Sequence, residues 1–457
     1  MRITDNNYKG LSITSPDQIE DLRPIANRPL KLLQEENPNL VVFPELLGGY
    51  NDHIEHKVAF QIEENRLFTN NMMGFVGRNT TKLTITSRFE SGGNDYFLHY
   101  MLQKVLSINV FDFQQNTKEE SIWDFWLYLF PYCLKKAYAQ GLYKAYQQHN
   151  YNDTNVKGTI DIKRHLLKNI PFMGRITYST REHSYDNPLS QLIRHTIEYL
   201  SVHPIGAILL HTDTELRAII DLFILNTQNT YNKNARHKVI LSNSKPFAHP
   251  YFTEYALLQK ICLRILRREQ LSFGQEKDNI YGLLFDGAWL WEEYLNTFLK
   301  EDFEHPENLT GKNKKYLFKN KKQSIYPDFL SKQSPKIVGD AKYMPLNDQD
   351  YYQEGSERIT SIYYKTIAYM YRFESTCGFL LYPIKEDGES LSLKTYEIEG
   401  DTQNRKLGKI GLGIPQQVEN FSEFVEKMKI NETALKQFIR RQRTAADNWL
   451  LITHHCF

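Results

Sequence analysis

Cysteine is scarce in this chain, and what there is stands alone. Cys133, Cys262, Cys377 and Cys456 are the only four in 457 residues. None is half of a Cys-x-x-Cys pair, which argues against a zinc site of that kind and leaves reduced thiols as the expectation. Net charge is nearly absent: 56 Lys and Arg against 54 Asp and Glu leave +2. No global field announces a polyanionic partner, so local clusters must carry any such contact. Long apolar runs are missing. The most apolar window, residues 122–134, is broken by Asp124 and Pro131. It falls short of the roughly 20 residues that cross a bilayer, and no membrane segment is expected. The opening Met1-Arg2-Ile3-Thr4-Asp5-Asn6-Asn7 has no apolar core of the signal-peptide type. No Gly-x-x-x-x-Gly-Lys-Ser/Thr loop occurs, so this chain itself is not expected to bind a nucleotide. Repeats and low-complexity tracts are absent.

What is present is aromatic and hydrophilic. Aromatics make up 13% and the mean hydropathy is −0.53. The length exceeds one ordinary core and predicts two or three domains. Residues 20–33 and 44–49 read as short helices or loops. Residues 66–88 alternate as strands, with Gly74 and Gly77 at turns or close approaches, and 98–105 reads as a helix. Residues 118–147 read as helix, with Trp123, Trp126, Tyr128, Phe130 and Tyr132 as core rather than a base-stacking platform. A basic, polar strand follows at 156–163. Asp186, before Pro188, is placed to cap a helix running to 200, and Thr212 or Thr214 to cap another at 215–225. His183 reads as a surface or capping residue. A helix over 251–270 ends in Arg264, Arg267 and Arg268, a solvated face. Past residue 382 come a polar turn, a strand at 391–398, a loop with Gly408, Gly411 and Gly413, and a terminal helix at 421–442 with basic Arg440, Arg441 and Arg443.

The chain is organised around residues 324–330, Ser-Ile-Tyr-Pro-Asp-Phe-Leu, and 336–343, Lys-Ile-Val-Gly-Asp-Ala-Lys-Tyr. They read as two strands joined by a polar turn at 331–335. Alternation puts Asp340 and Lys342 on one face with Val338, and Ile337, Gly339, Ala341 and Tyr343 on the other. Charged groups in such a strand are costly unless paired or metal-bound. Asp328 can supply a second carboxylate, and such oxygens suit Mg²⁺. Lys342 can orient water or offset charge on a phosphate, as in metal-assisted phosphodiester hydrolysis. A lone Asp-x-Lys reads first as an edge-strand ion pair; Pro-Asp, a turn and a hydrophobic strand carrying it is more specific.

Upstream, Ala288, Trp291, Leu295, Phe298 and Leu299 form a helical stripe. Glu292 falls at its edge, facing a neighbouring sheet, and Glu293 opposite, in solvent. Downstream, Ile359, Ile362, Tyr363, Thr366, Ile367 and Met370 mark a second amphipathic helix, and 378–382 a buried strand. Lys312, Lys314, Lys315, Lys319, Lys321 and Lys322 place six lysines in eleven residues. They read as a solvated hairpin tip or, beside such a site, as backbone contacts to DNA.

With Glu292, Asp328 and Asp340-Ala341-Lys342 in this order of elements, the chain resembles the PD-(D/E)xK nucleases. More widely it resembles the McrC family, the nuclease subunit of McrBC-type restriction systems, and within it the LlaJI-type proteins. The stretches Gly74-Phe75-Val76-Gly77-Arg78, Lys82-Leu83-Thr84-Ile85-Thr86, residues 156–162, residues 185–194 and Leu290-Trp291-Glu292-Glu293-Tyr294 carry the same resemblance, over roughly residues 70–385. Tyr326 stands where many members have Arg, and Lys365 where many have Gln; both positions bear on DNA contact. The resemblance implies a multi-domain α/β protein with a β-rich N-terminal region (1–115, partner docking) and a mostly helical central region (116–275, partner docking or DNA contact). A nuclease domain with a mixed sheet flanked by helices (276–400) and a C-terminal loop and helix (401–457) would follow.

It further implies a Mg²⁺-dependent restriction endodeoxyribonuclease in a prokaryotic cytoplasm. Asp328, Asp340, Glu292 and the Ala341 carbonyl would hold the metal, and Lys342 would assist catalysis. Partners would be double-stranded DNA, an McrB-like hexameric AAA+ GTPase and a second copy through the nuclease domain. Two alternatives stand: a stand-alone PD-(D/E)xK repair nuclease, and a non-catalytic activator of a GTPase ring.

Overall fold

The computed structural model describes residues 1–37, 40–44, 56–90, 95–106, 120–211, 213–267, 280–306, 314–334, 336–346, 357–386 and 390–453. Lys312, Thr212, Arg268 and Cys456, and the side chains of Trp123, Tyr128 and Arg443, lie outside what is described. The chain forms two compact units. One joins Met1–Asp112 to Gly274–Phe457, and the other is Phe113–Phe273. Both are mixtures of helix and sheet.

The first unit contains a five-stranded sheet ordered Arg2–Thr4, Thr81–Thr86, Met72–Arg78, Ile280–Asp286, Leu40–Phe43. Its fourth strand comes after the second unit in sequence. Ile280–Asp286 is buried almost throughout, so it needs a neighbour on each edge. It pairs antiparallel with Met72–Arg78 and parallel with Leu40–Phe43. The segments 1–115 and 276–400, expected as separate regions, thus both give strands to this one sheet. Gly74 permits the pairing: its φ is +124°, and a Cβ would lie 2.1 Å from the Leu283 carbonyl oxygen. Leu30, Leu33, Val42, Met72, Val76, Leu83 and Leu284 fill the core on this sheet.

The second sheet has six strands, ordered Phe303–Glu304, Phe329–Ser331, Ile337–Ala341, Cys377–Glu386, Lys406–Pro415, Leu391–Glu397. The long strand expected at 324–330 is interrupted. Ser324–Ile325 pairs with Lys315–Tyr316, and Phe329–Ser331 pairs with Ile337–Ala341. Pro327, with no N–H to give a ladder, sits in the break. Ile337–Ala341 and Cys377–Glu386 are parallel and joined through the helix Glu357–Arg372. Met370 and Tyr369 of that helix pack with Val338 and Leu407. The glycine loop expected around 408–413 is instead a strand, Lys406–Pro415, buried over nearly its whole length. A terminal helix, Phe421–Thr453, is fixed by Glu432. Its carboxylate accepts from Tyr100 Oη at 2.7 Å, Tyr294 Oη at 2.9 Å and Lys104 Nζ at 3.0 Å.

The second unit is mainly helical. Glu120–Ala139, Pro188–Val202, Thr214–Thr227 and Glu254–Leu266 are its longer helices. The first ends earlier than expected: Gly141 has φ +91°, and Ala145–Asp153 is a strand with a two-residue burial period. The caps also shift. Asn187, not Asp186, accepts from Leu189 N and Ser190 N, because Pro188 takes the first helical position. Asp213 caps the next helix. Arg264 lies against Trp126 rather than in open solvent. A three-stranded sheet, ordered Ala145–Asp153, Ile176–Ser184, Thr159–Ile160, carries the short helix Ile162–Lys168. Around it Ile162, Leu167, Ile170, Phe172 and Met173 are exposed, Leu167 and Met173 by 77% and 81%. No described helix is long and apolar enough to cross a membrane.

Candidate active site

Three elements of the first unit meet at one pocket. The strand Ile337–Ala341 brings Asp340, fully buried at 0% exposure. Pairing of Phe329 with Gly339 sets the preceding Asp328 beside the end of that strand, where Asp328 Oδ2 accepts from Ala341 N at 2.7 Å. The helix Gly287–Leu299 begins directly after its strand, with Asp286 accepting from Ala288 N and Trp289 N as the cap. Trp291 anchors it by donating from Nε1 to the Leu381 carbonyl at 3.1 Å. One residue on, Glu292 opens into the pocket, which Asp328, Ala341, Lys342 and Lys365 also line.

Asp340 is held by two ammonium groups. Lys342 Nζ forms an ion pair with its Oδ2 and donates to the Ala341 carbonyl at 3.1 Å. Lys365 Nζ approaches Asp340 Oδ1 at 3.1 Å. Lys365, considered in the sequence as a DNA contact, is thus engaged with the central carboxylate. It reaches there because the helix Glu357–Arg372 lies along the strand that carries Asp340.

The acids titrate apart. Burial alone would raise Asp340, but the charges of Lys342 and Lys365 outweigh it and hold its carboxyl below the usual range. Burial raises Asp328, and repulsion from Asp340 adds to the rise, against the pull of Lys342 and Lys365. Burial raises Glu292 well above its ordinary value, helped by repulsion from Asp328. Environments that separate like groups in this way are common where chemistry is done.

His305 has no signal in the sequence, because nothing near it in the chain announces a partner. Its Nδ1 lies 2.7 Å from the Asp328 carbonyl, to which it donates, and its ring stacks on Phe329. Its Nε2 is 3.7 Å from Glu292 and 3.9 Å from Glu293. Burial would depress this imidazole, but bonding to Glu293, the charge of Glu292 and the Asp328 carbonyl raise it to about 9. Glu293, expected in solvent, is only 29% exposed, because the segment carrying His305 runs beside the helix and both glutamates straddle it.

The lysine hairpin lies at Lys315–Tyr316 and Ser324–Ile325. Lys315 pairs with Glu304 at 3.0 Å. Lys314, Lys319, Lys321 and Lys322 are exposed. Arg372 Nε donates to the Tyr316 carbonyl at 2.8 Å, tying the hairpin to the helix that bears Lys365.

In donor chemistry the three acids fit a hard divalent cation. Their mutual repulsion is what such an ion relieves. Among the described residues, however, no three His, Cys, Asp or Glu side chains stand together as a ready metal cage. Asp340 is instead neutralised by its lysines.

Residues 67–383 match the model of a family described as McrBC 5-methylcytosine restriction system component. Among curated proteins nothing matches. Chains of solved structures are also similar, two of which follow. One, from a half-complex of the tetradecameric assembly of Thermococcus gammatolerans McrB AAA+ hexamers with bound McrC, is 15% identical. That likeness covers 94% of this chain and 99% of the other, with a TM-score of 0.41. A chain of the Thermococcus gammatolerans McrBC complex is 14% identical over 66% of this chain and 87% of its own length, with a TM-score of 0.29.

Proposed function

The chain belongs to the family of McrBC 5-methylcytosine restriction system components, and we propose that within such a system it is the McrC-like subunit that cuts DNA. The observation that carries this reading is that Glu292, Asp328 and Lys342, brought by different parts of the chain, line one pocket, with Asp340 buried behind it and paired to Lys342. Water would add to a backbone phosphorus while the bond from phosphorus to a sugar oxygen breaks. Asp328, Asp340, Glu292 and the Ala341 carbonyl would hold a divalent ion, Mg²⁺ in the simplest case, which supplies Lewis-acid polarisation of the phosphate and a more acidic water. Lys342 offers positive charge and hydrogen bonds to a phosphate oxygen, in exchange for those it gives Asp340. Lys365 offsets the same carboxylate from the other side. His305 holds the Asp328 backbone and faces Glu292 as a cation. The exposed Lys314, Lys319, Lys321 and Lys322, with Lys312, fit sequence-independent contacts to DNA phosphates.

The energy for translocation would come from a partner, an McrB-like hexameric AAA+ GTPase, since this sequence has no phosphate loop of its own. The exposed apolar tip around Leu167 and Met173 has the character of a partner-docking surface. A second copy can join through the nuclease region.

The test is cleavage of duplex DNA by the chain with its GTPase, GTP and Mg²⁺. Lys342→Ala is expected to lower cutting by on the order of a hundredfold or more, the scale of a lost transition-state contact, with partner and DNA binding kept. Normal cutting by that variant rejects the assignment. Robust cutting without NTP or partner would favour a stand-alone nuclease. The pairing of Asp340 with both lysines favours one other reading, a non-catalytic activator of the ring. GTPase stimulation without cleavage under any divalent metal would establish that reading.

A further inference from the structure

The acidic residues line only part of the pocket. The rest is built from the opening of the chain and its first strands: Asn6, Tyr8, Lys57, Asn71 and Arg88. All belong to the same compact unit as Asp328 and Asp340. We infer that this N-terminal wall binds the DNA backbone beside the phosphodiester to be cut; the inference rests on the nuclease reading above.

The wall is tied to the acidic side at two points. Arg88 donates to the carbonyl of Tyr343, the residue after Lys342, and Tyr343 Oη is 2.7 Å from Ser87 Oγ. Gly287, which opens the Glu292 helix, donates from its N–H to the Asn71 carbonyl at 3.0 Å. Side chains continue the surface outward. Asn6 Nδ2 donates to Asn71 Oδ1 at 3.0 Å, and Tyr8 Oη donates to Asn6 Oδ1 at 3.2 Å. Tyr8 is 74% exposed. Lys57 Nζ pairs with Asp286 Oδ2 at 2.6 Å, while its own side chain stays 39% exposed.

The chemistry of this wall is the complement of the other. It presents an ammonium, a guanidinium, carboxamides and a phenol. The carboxylates that pair with Arg88 and Lys57, Asp5 and Asp286, are buried at 0% and 2% exposure. A DNA strand brings a negative charge about every 3.4 Å along its axis. The phosphates that flank the reacting one are repelled by Glu292 and Asp328, so a bound strand needs a cationic, donor-rich surface opposite them. Lys57 supplies the charge and Tyr8 an aromatic face for the adjoining nucleotide.

The test measures duplex DNA binding by fluorescence anisotropy over a salt series, for the full chain alone and with its GTPase. Lys57→Gln keeps a donor for Asp286, and Tyr8→Ala alters only an exposed side chain, so both are expected to fold; thermal melts check this. Removing one phosphate contact should reduce the slope of log affinity against log salt by about 0.9, so Lys57→Gln is expected to show that reduction. Tyr8→Ala is expected to weaken binding about fivefold or more with the slope unchanged. Unchanged slope and affinity in both variants, with cleavage by the parent still abolished by Lys342→Ala, overturns the N-terminal wall and leaves the nuclease reading in place. A parent that cuts nothing under any metal, yet loses slope in Lys57→Gln, keeps the wall and removes the nuclease. A parent without salt-dependent DNA binding overturns the wall outright.

Discussion

A carboxyl group reports its surroundings through its proton, and Asp5 does so apart from the three acids of the candidate site. It accepts from Arg88 N at 2.6 Å, yet burial pushes it up to about 6, with the charge of Arg88 pulling the other way. A folded value above the unfolded one means that the native state holds the proton more tightly. The associated stability is fully present below about pH 4 and is lost as pH rises through about 6, on the order of 3 kcal/mol at most. Asp5→Asn should therefore flatten the dependence of unfolding midpoint on pH between about 4 and 7, as denaturant titrations would measure; an unchanged slope counts against it. At this scale the sequence was informative where alternation sufficed. Period two placed Asp340 and Lys342 together, and the helical stripe put Glu292 at its edge. His305, Lys57 and Tyr8 were not legible, because their partners are distant in the chain and only folding selects them.

Elements were harder to read where glycine had two meanings. Gly408 and Gly411 look like loop residues, but they lie in a buried strand. A Cβ on Gly408 would come within 2.9 Å of the Phe379 ring, and one on Gly411 within 2.7 Å of Ile384. Their job is to leave room for neighbours. Gly74 is stricter, since both its φ and the Leu283 carbonyl forbid a side chain. Gly74→Ala should cost about 3 kcal/mol or more through strain and overpacking, read as a fall in the melting temperature. The cap at Asn187 is a milder case. Its side chain meets two amides at 3.1 Å each, so Asn187→Ala should cost about 1 kcal/mol. Asp186, its neighbour, misled because the sequence marks a cap only to within a residue, and the proline fixed which residue it is. The helix expected to run through 145–147 failed for another reason: an alternating polar strand there finds its partner only at Ile176–Ser184.

For the whole molecule, the two compact units lead to a calorimetric expectation. Each has its own buried interior, so heating should give two transitions. Gly74→Ala should lower only one and Asn187→Ala only the other; a single transition shifted by both variants contradicts the division. The sequence suggested several domains but not that the first and last parts would share a sheet, because strand pairing across a long insertion leaves no local mark.

The tip around Ile162, Leu167, Ile170, Phe172 and Met173 has a practical corollary. Those side chains do little to hold their own fold together, so substitutions there escape the usual thermodynamic penalty and answer only to whatever touches them. A copy kept by itself in dilute buffer carries an adhesive face, and mild detergent should change its tendency to clump well before it changes its melting point.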